Sequence, residues 1–328
     1  MKNIIRITVF LCINLIAISC ASGRNISTLS LEEEKKVFIN SKRNTQIPAI
    51  LTMPKAILPG TERGIPVVLL AHGLGGDKDE HGLFSKMAQT LMEAGIASLR
   101  MDFAGSGENK ESWEKGYRLS YIIDDLASCK EWLSDDKRFD VNRLGIIGLS
   151  FGGRASTVAI SNDPQYKAAV LWAPYAYDMF PTPGISVARS GLSMFQNAVY
   201  SIFKIIFYPI TVMTRMDDDE RLELHAKLSD TLGVEKVLGI DWFNDMREID
   251  FLEKIDRFTG DLLVISGSND TIVPPEVAER LTELAVNARS RENIRIEGAD
   301  HNLGAKAKNA EIINQLIELT EMFFKNNL

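Results

Sequence analysis

The sequence predicts an α/β protein, because strand-like and helix-like segments alternate along most of the chain. Continuous apolar runs such as residues 66–71 and 144–149 are typical of strands that helices cover on both faces. Strands are predicted at residues 36–40, 47–53, 66–71, 96–101, 144–149, 168–172, 262–266 and 294–297. Helices are predicted at residues 83–93, 121–133, 154–161, 275–287 and 310–325.

The composition is that of an ordinary globular protein, with 328 residues of which 45% are hydrophobic and 25% charged. This length fits one large domain or two small ones. The net charge of −7 comes without any Lys/Arg block, so we expect no nucleic-acid partner. The three cysteines predict no disulfide, and Cys129 is expected to pack in the core. No Cys/His cluster has zinc spacing, so we expect no metal.

The N-terminus has the pattern of an export signal. Lys2 and Arg6 supply positive charge, an apolar run follows at residues 7–18, and small residues come next. Residues 16–20 (Ile-Ala-Ile-Ser-Cys) resemble a bacterial lipobox, which predicts lipidation at Cys20 and a membrane anchor on the periplasmic or cell-surface side. An ordinary secretory signal and an uncleaved anchor are the alternatives.

A long segment after the predicted strand at residues 168–172 interrupts the alternation, and we interpret it as a helical lid. Its apolar stretch at residues 194–213 contains Lys204 and Pro209, which favour a lid or buried helix over a membrane span. The acidic run at residues 217–220 fits a helix N-terminus better than a metal site. The predicted organisation is a signal peptide at 1–19, a tether at 20–33, a core at 34–176 and 246–328, and a lid at 177–245.

The predicted nucleophile is Ser150, in the motif Gly-Leu-Ser-Phe-Gly at residues 148–152. An apolar strand runs into the motif and a helix leaves it, which is the context of a strained strand-to-helix turn that exposes a serine hydroxyl. The alternative is a glycine-rich turn with an incidental serine. A serine hydroxyl needs a base to take its proton, and His301, after the last predicted strand, is the predicted base.

The predicted carboxylate partner of His301 is Asp270. It follows the strand at residues 262–266 and so lies at that strand's carboxyl end, where catalytic groups of open α/β sheets collect. Asp102 and Asp300 compete for this role. Asp102 precedes Ser150 in the chain and is expected to fix a loop, whereas Asp300 adjoins His301 in sequence, which does not make it a facing partner.

The loop Ala-His-Gly-Leu-Gly-Gly at residues 71–76 is predicted to supply an oxyanion donor, because its glycines let backbone N–H groups turn inward. The predicted donors are the backbone N–H groups of Leu74 and of Phe151, which directly follows the nucleophile. His72 is expected to brace this loop rather than to act as the base.

These motifs together resemble the α/β-hydrolase superfamily over nearly everything after the signal. The resemblance covers His72–Gly73, the Arg-Met-Asp-Phe-Ala-Gly-Ser-Gly run at 100–107, the Ser150 turn, Asp270 with Val-Pro at 273–274, and residues 298–301. The layout is most similar to bacterial cinnamoyl/feruloyl esterases and S9-like acyl hydrolases. It implies an α/β-hydrolase fold: a mostly parallel eight-stranded sheet flanked by helices, with a helical lid inserted after the sixth strand, and no cofactor.

The expected activity is hydrolysis of carboxylic esters, either aryl or short acyl, through an acyl-enzyme on Ser150. The same residues serve thioesterases and small-peptide or acyl-amide hydrolases, and an inactive binding protein of the same fold is the alternative of another class. The expected partner is a small-molecule ester, and Tyr175, Tyr177 and Phe180 either line its pocket or pack the lid onto the core.

Overall fold

The computed structural model describes residues 34–54, 64–175, 240–249, 252 and 254–328. Eight strands form one sheet in the order β1-β2-β4-β3-β5-β6-β7-β8. The pairs β1–β2 and β2–β4 are antiparallel and all the others are parallel, which confirms the predicted mostly parallel sheet of eight strands. The strands are β1 Glu34–Asn40, β2 Gln46–Thr52, β3 Ile65–Ala71, β4 Ala97–Met101, β5 Phe139–Leu149, β6 Tyr166–Trp172, β7 Asp261–Gly267 and β8 Ser290–Ile296.

Helices cover both faces of the sheet. The described helices are α1 Leu83–Glu93, α2 Trp113–Gly116, α3 Leu119–Ser134, α4 Phe151–Asn162, α5 Ile240–Glu248, α6 Glu276–Leu284 and α7 Ala310–Asn327. Alternate residues of β3 divide between two apolar clusters. Val67 and Leu69 join the cluster that includes residues of α3 and α4, whereas Val68 and Leu70 join the one that includes residues of α1 and α7. The sheet is therefore buried on both faces at its centre.

The largest errors in the predicted strands occur where the chain is polar. β5 begins at Phe139, whereas the predicted strand began at residue 144. The prediction missed the first half of the strand because Asp140, Asn142 and Arg143 interrupt the apolar run that identifies a central strand. β8 begins at Ser290 rather than 294. It is the edge strand and its first three residues are exposed, so the burial that produces an apolar pattern is missing.

The predicted lid at 177–245 lies almost wholly outside the described residues, as do Cys20, Tyr177 and Phe180. The predicted boundary between residues 245 and 246 falls inside α5, which the sequence analysis did not identify. Trp242 and Met246 of α5 are buried in the same apolar cluster as α3 and α4. Among the described residues, no helix is long and apolar enough to cross a membrane.

A buried hydrogen bond connects the sheet to α7. The Trp172 indole N–H, at the end of β6, donates to the Thr320 hydroxyl at 3.1 Å, and both side chains are fully buried. Thr320→Val should lower the free energy of unfolding by about 1–3 kcal/mol, because the buried indole N–H loses its acceptor. Urea denaturation measures the change. Thr320→Ser keeps the hydroxyl and is the matched control, so an equal loss in both variants would contradict this explanation.

Candidate active site

Ser150 occupies a sharp turn between β5 and α4. Its backbone has φ 52° and ψ −114°, a conformation that L residues rarely adopt. Two bonds hold it there: the Ser150 N–H donates to Trp172 O at 2.8 Å, and the Tyr175 N–H donates to Ser150 O at 2.9 Å. The strained conformation therefore persists because β6 and the chain that follows it are bonded to the turn.

The glycines of this turn are required by close backbone approach. A methyl group at Gly152 would overlap the carbonyl oxygens of Ala71 and His72 at the end of β3, and one at Gly148 would overlap Ser156 Oγ. Only glycine lets α4 begin this close to the neighbouring strand. The Gly-x-Ser-x-Gly spacing thus places Ser150 beside the loop that follows β3.

The structure brings Ser150, His301 and Asp270 into one hydrogen-bonded chain. His301 Nε2 lies 2.9 Å from Ser150 Oγ, and His301 Nδ1 lies 2.8 Å from Asp270 Oδ2. The other Asp270 oxygen accepts the N–H groups of Ile272 and Val273 at 2.9 and 2.8 Å. The carboxylate is thereby oriented by its own loop, and it holds the imidazole with Nε2 facing the serine hydroxyl.

The competing carboxylates have other partners. The buried Asp102 accepts the Lys78 N–H at 2.8 Å, the Lys78 ammonium at 2.7 Å and the Glu108 N–H at 2.9 Å. It therefore fixes the loops after β3 and β4, as expected. Asp300 accepts the Gly304 N–H at 3.0 Å and braces the loop that carries His301.

The predicted oxyanion loop lies directly against Ser150. A Cβ on Gly73 would stand 3.4 Å from Ser150 Cβ. The Gly76 N–H donates to Gly73 O at 3.2 Å and so closes a turn over residues 73–76. Gly75 has the positive φ, 75°, that this turn needs. Within the described part of the chain, the N–H groups of Leu74 and Phe151 donate to no protein acceptor, so both are free to bind an oxyanion.

His72 braces this loop from inside the protein. Its Nε2 accepts the Phe103 N–H at 3.1 Å, so the proton of the neutral ring resides on Nδ1, which donates to Gly73 O at 2.8 Å. Complete burial lowers the pKa of His72 to about 4, so the ring is neutral at physiological pH. Its lone pair is occupied, which removes His72 as a base for Ser150.

Glu80 and Tyr117 were not identified from the sequence, although both contact Gly73. The buried Glu80 carboxylate accepts the Gly73 N–H at 2.5 Å, and the buried Tyr117 hydroxyl donates to Gly73 O at 3.1 Å. Glu80 and His81 have φ values of 43° and 56°, at a cost of roughly 1–2 kcal/mol each. In sequence, Glu80 resembles an ordinary acidic residue ahead of a helix, so no local pattern predicts this strained, buried placement.

An aromatic cluster extends from Phe151, the residue after Ser150, into the core. The Phe151 ring stacks on Tyr117 and Trp242 at centroid distances of 5.8 and 5.7 Å, and it lies 6.4 Å from Tyr175. Tyr175, which was expected either to line a pocket or to pack, is only 7% exposed and belongs to the apolar cluster that contains α3 and α4. This placement favours packing for Tyr175.

Comparison with known proteins supports the fold. The family model described as serine aminopeptidase, S33, matches residues 64–305. The chain is 26% identical over 223 residues to the quorum-quenching protein AidA of Acinetobacter baumannii (strain MDR-ZJ06), a match that covers 68% of this chain and 63% of that protein. It is 25% identical over 245 residues to the 2-hydroxy-6-oxononadienedioate/2-hydroxy-6-oxononatrienedioate hydrolase of Cupriavidus pinatubonensis (strain JMP 134 / LMG 1197), covering 70% of this chain and 79% of that one.

A solved structure also shares the fold. The structure of Est1E from Butyrivibrio proteoclasticus with ferulic acid bound superimposes with a TM-score of 0.58 at 16% identity. The match covers 86% of this chain and 98% of Est1E.

The buried Glu80 should make stability depend on pH. Burial raises its pKa from 4.5 to about 7, and Asp77 adds to this, whereas the Gly73 N–H, Lys306 and His301 oppose it. Between these two values the native protein holds a proton that the unfolded chain has released, so stability falls as pH rises.

Glu80→Gln removes this titration. The free energy of unfolding of the variant, relative to the unchanged protein, should therefore increase from pH 5 to pH 8. Chemical denaturation across that range measures it. Glu318→Gln changes an exposed carboxylate on α7 and is the matched control. A difference for Glu80→Gln that is constant with pH would contradict the assignment.

Proposed function

Since the chain belongs to the serine aminopeptidase S33 family of α/β-hydrolases, we propose that this hydrolase cleaves carboxylic esters through an acyl-enzyme on Ser150. One observation carries the proposal. Ser150, His301 and Asp270 form a continuous hydrogen-bonded chain, with separations of 2.9 and 2.8 Å. These are the distances that proton transfer from a serine hydroxyl requires.

In the proposed reaction, Ser150 Oγ attacks the ester carbonyl carbon while its proton moves to His301 Nε2. Asp270 stabilises the resulting imidazolium through the Nδ1–H bond and is not itself protonated. When the tetrahedral intermediate collapses, the bond to the alcohol oxygen breaks and His301 returns the proton to the leaving alcohol. A water molecule, deprotonated by His301, then attacks the acyl-enzyme and releases the acid.

We further propose that the negative oxygen of each tetrahedral intermediate binds the N–H groups of Leu74 and Phe151. Phe151 is the first residue of α4, so its N–H has no partner within the helix, and the helix dipole favours negative charge there. The close approach of Gly73 to Ser150 supports the Leu74 N–H as the second donor. Losing one such donor typically costs about 10²–10³ in kcat.

The proposed substrates are aryl or short acyl esters. The fold shared with Est1E, whose structure holds ferulic acid, supports an aromatic acyl group. A second candidate is an aminoacyl amide, since the matching family model is described as a serine aminopeptidase. Comparing p-nitrophenyl acetate, butyrate and ferulate with aminoacyl p-nitroanilides distinguishes the two, and turnover of the anilides alone would overturn the ester assignment.

We also propose that the enzyme is exported and anchored through a lipid on Cys20. The charged start, the apolar run at residues 7–18 and Cys20 support this placement. In a bacterial host, labelling with a radioactive fatty acid should mark the protein, and Cys20→Ala should abolish the label and release the protein from membranes. Cys129→Ala, which changes a buried core cysteine, is the control. Unchanged labelling in Cys20→Ala would contradict the anchor.

Ser150→Ala should lower kcat for p-nitrophenyl butyrate by roughly 10⁴-fold or more, because no other group replaces the nucleophile. The same change should abolish labelling by a fluorophosphonate probe, while the melting temperature stays nearly constant. Ser161→Ala alters a buried serine within α4 and should retain both the hydrolysis and the labelling. Persistent labelling of Ser150→Ala would place the nucleophile elsewhere.

A further inference from the structure

We propose that Glu80 and Tyr117 are positioning residues that clamp Gly73 from both sides and so aim the Leu74 N–H at the oxyanion. The inference rests on the proposed function, because it concerns the donor that stabilises the tetrahedral intermediate. Neither side chain has to touch the substrate. Both act through the backbone of Gly73, with which each forms a hydrogen bond.

The geometry of one peptide unit carries the argument. The Gly73 carbonyl and the Leu74 N–H belong to the same planar trans peptide and point in opposite directions. Whatever holds the carbonyl therefore also fixes the direction of the N–H. Three donors converge on Gly73 O: His72 Nδ1 at 2.8 Å, the Tyr117 hydroxyl at 3.1 Å and the Gly76 N–H at 3.2 Å.

Glu80 holds the opposite side of the same residue. Its carboxylate accepts the Gly73 N–H at 2.5 Å, so both dihedrals of Gly73 lie between two anchored peptide groups. This restraint matters because a glycine has no side chain to limit its conformation. The carboxylate also occupies the space that a side chain at Gly76 would need, which packs Glu80 against the far end of the turn.

The placement of Glu80 is unfavourable by itself. Glu80 and His81 are consecutive residues in the left-handed region, and the Glu80 carboxylate is almost completely buried. The surrounding structure must enforce such an arrangement, and costly features of this kind cluster at functional sites. Holding the Gly73 N–H in place would explain why this unfavourable arrangement of Glu80 is retained.

Tyr117 is well suited to hold the carbonyl. Its ring stacks on Trp113 at 4.0 Å and on Phe151 at 5.8 Å, and it is fully buried, so the hydroxyl is held in place. Burial raises the pKa of Tyr117 far above its usual value, which keeps its proton available to Gly73 O. Because Phe151 carries the second proposed oxyanion donor, this ring contacts both donor segments.

The central test is Tyr117→Phe, which removes only the hydroxyl. We expect kcat for p-nitrophenyl butyrate to fall about 5- to 30-fold with KM changed less than about 2-fold. The Leu74 N–H is still present but points in a poorer direction, so the loss of kcat should be smaller than the loss caused by removing an oxyanion donor altogether. Tyr166→Phe, another buried tyrosine, is the matched control. Equal kinetics in the two variants would overturn the role of Tyr117.

The second test compares Glu80→Ala with Glu80→Gln. The alanine removes the acceptor for the Gly73 N–H, so kcat should fall at least about 10-fold, whereas the glutamine carbonyl still accepts that bond and should restore kcat to within about 3-fold. Asp125→Asn, in a buried ion pair with Arg43, controls for the loss of a buried carboxylate. If Glu80→Gln loses as much kcat as Glu80→Ala, the proposed role of Glu80 is wrong.

A transition-state readout separates the clamp from a merely structural role. A trifluoromethyl ketone forms a tetrahedral oxyanion adduct with the serine, so its Ki should rise in proportion to the loss of kcat/KM across the variants. Variants that lose activity while binding the ketone normally would overturn the clamp. If the unchanged protein hydrolyses no ester and takes no fluorophosphonate label, the proposed function fails instead, so the two failures are distinguishable.

Discussion

The active site depends on one close backbone contact, in which Gly152 at the start of α4 lies against the carbonyl oxygens of Ala71 and His72. β3 and β5 are neighbours in the sheet, so the chain leaving one strand has to pass the loop leaving the other. A side chain at this point would separate the two by more than a hydrogen bond can span. With glycine, Ser150 and the Gly73 loop meet, and the distance between the proposed nucleophile and the proposed oxyanion donors is set by the sheet.

This contact explains why so much polar structure is buried at the same edge. Peptide groups that leave the sheet without strand partners need acceptors and donors inside the protein. The His72 ring serves two of them, the Phe103 N–H and Gly73 O, and Glu80 serves the Gly73 N–H. The burial that raises the pKa of Glu80 is thus the consequence of satisfying a backbone donor, and it makes stability fall as pH rises from about 4.5 to about 7.

The sequence predicted the parts of the site that local patterns encode. Apolar runs located the central strands, and glycine spacing located the turn at Ser150, because both signals arise from residues adjacent in the chain. His301 and Asp270 followed from strand order, since parallel strands deliver their carboxyl ends to one edge. Glu80 and Tyr117 could not be found in this way. They lie 7 and 44 residues from Gly73 in the sequence, and only tertiary packing brings their side chains into hydrogen-bonding distance of it.

Two of the buried carboxylates at this edge, Asp270 and Glu80, differ in the donors that they accept. Asp270 accepts two backbone N–H groups on one oxygen and leaves the other for His301, where the proposed reaction forms an imidazolium. Glu80 uses one of its oxygens on a single N–H of the oxyanion loop. In the proposed reaction Asp270 stabilises the charge that develops on His301, whereas Glu80 maintains a geometry that exists before substrate arrives. A site preorganised in this way needs no rearrangement of its donors at the moment of attack.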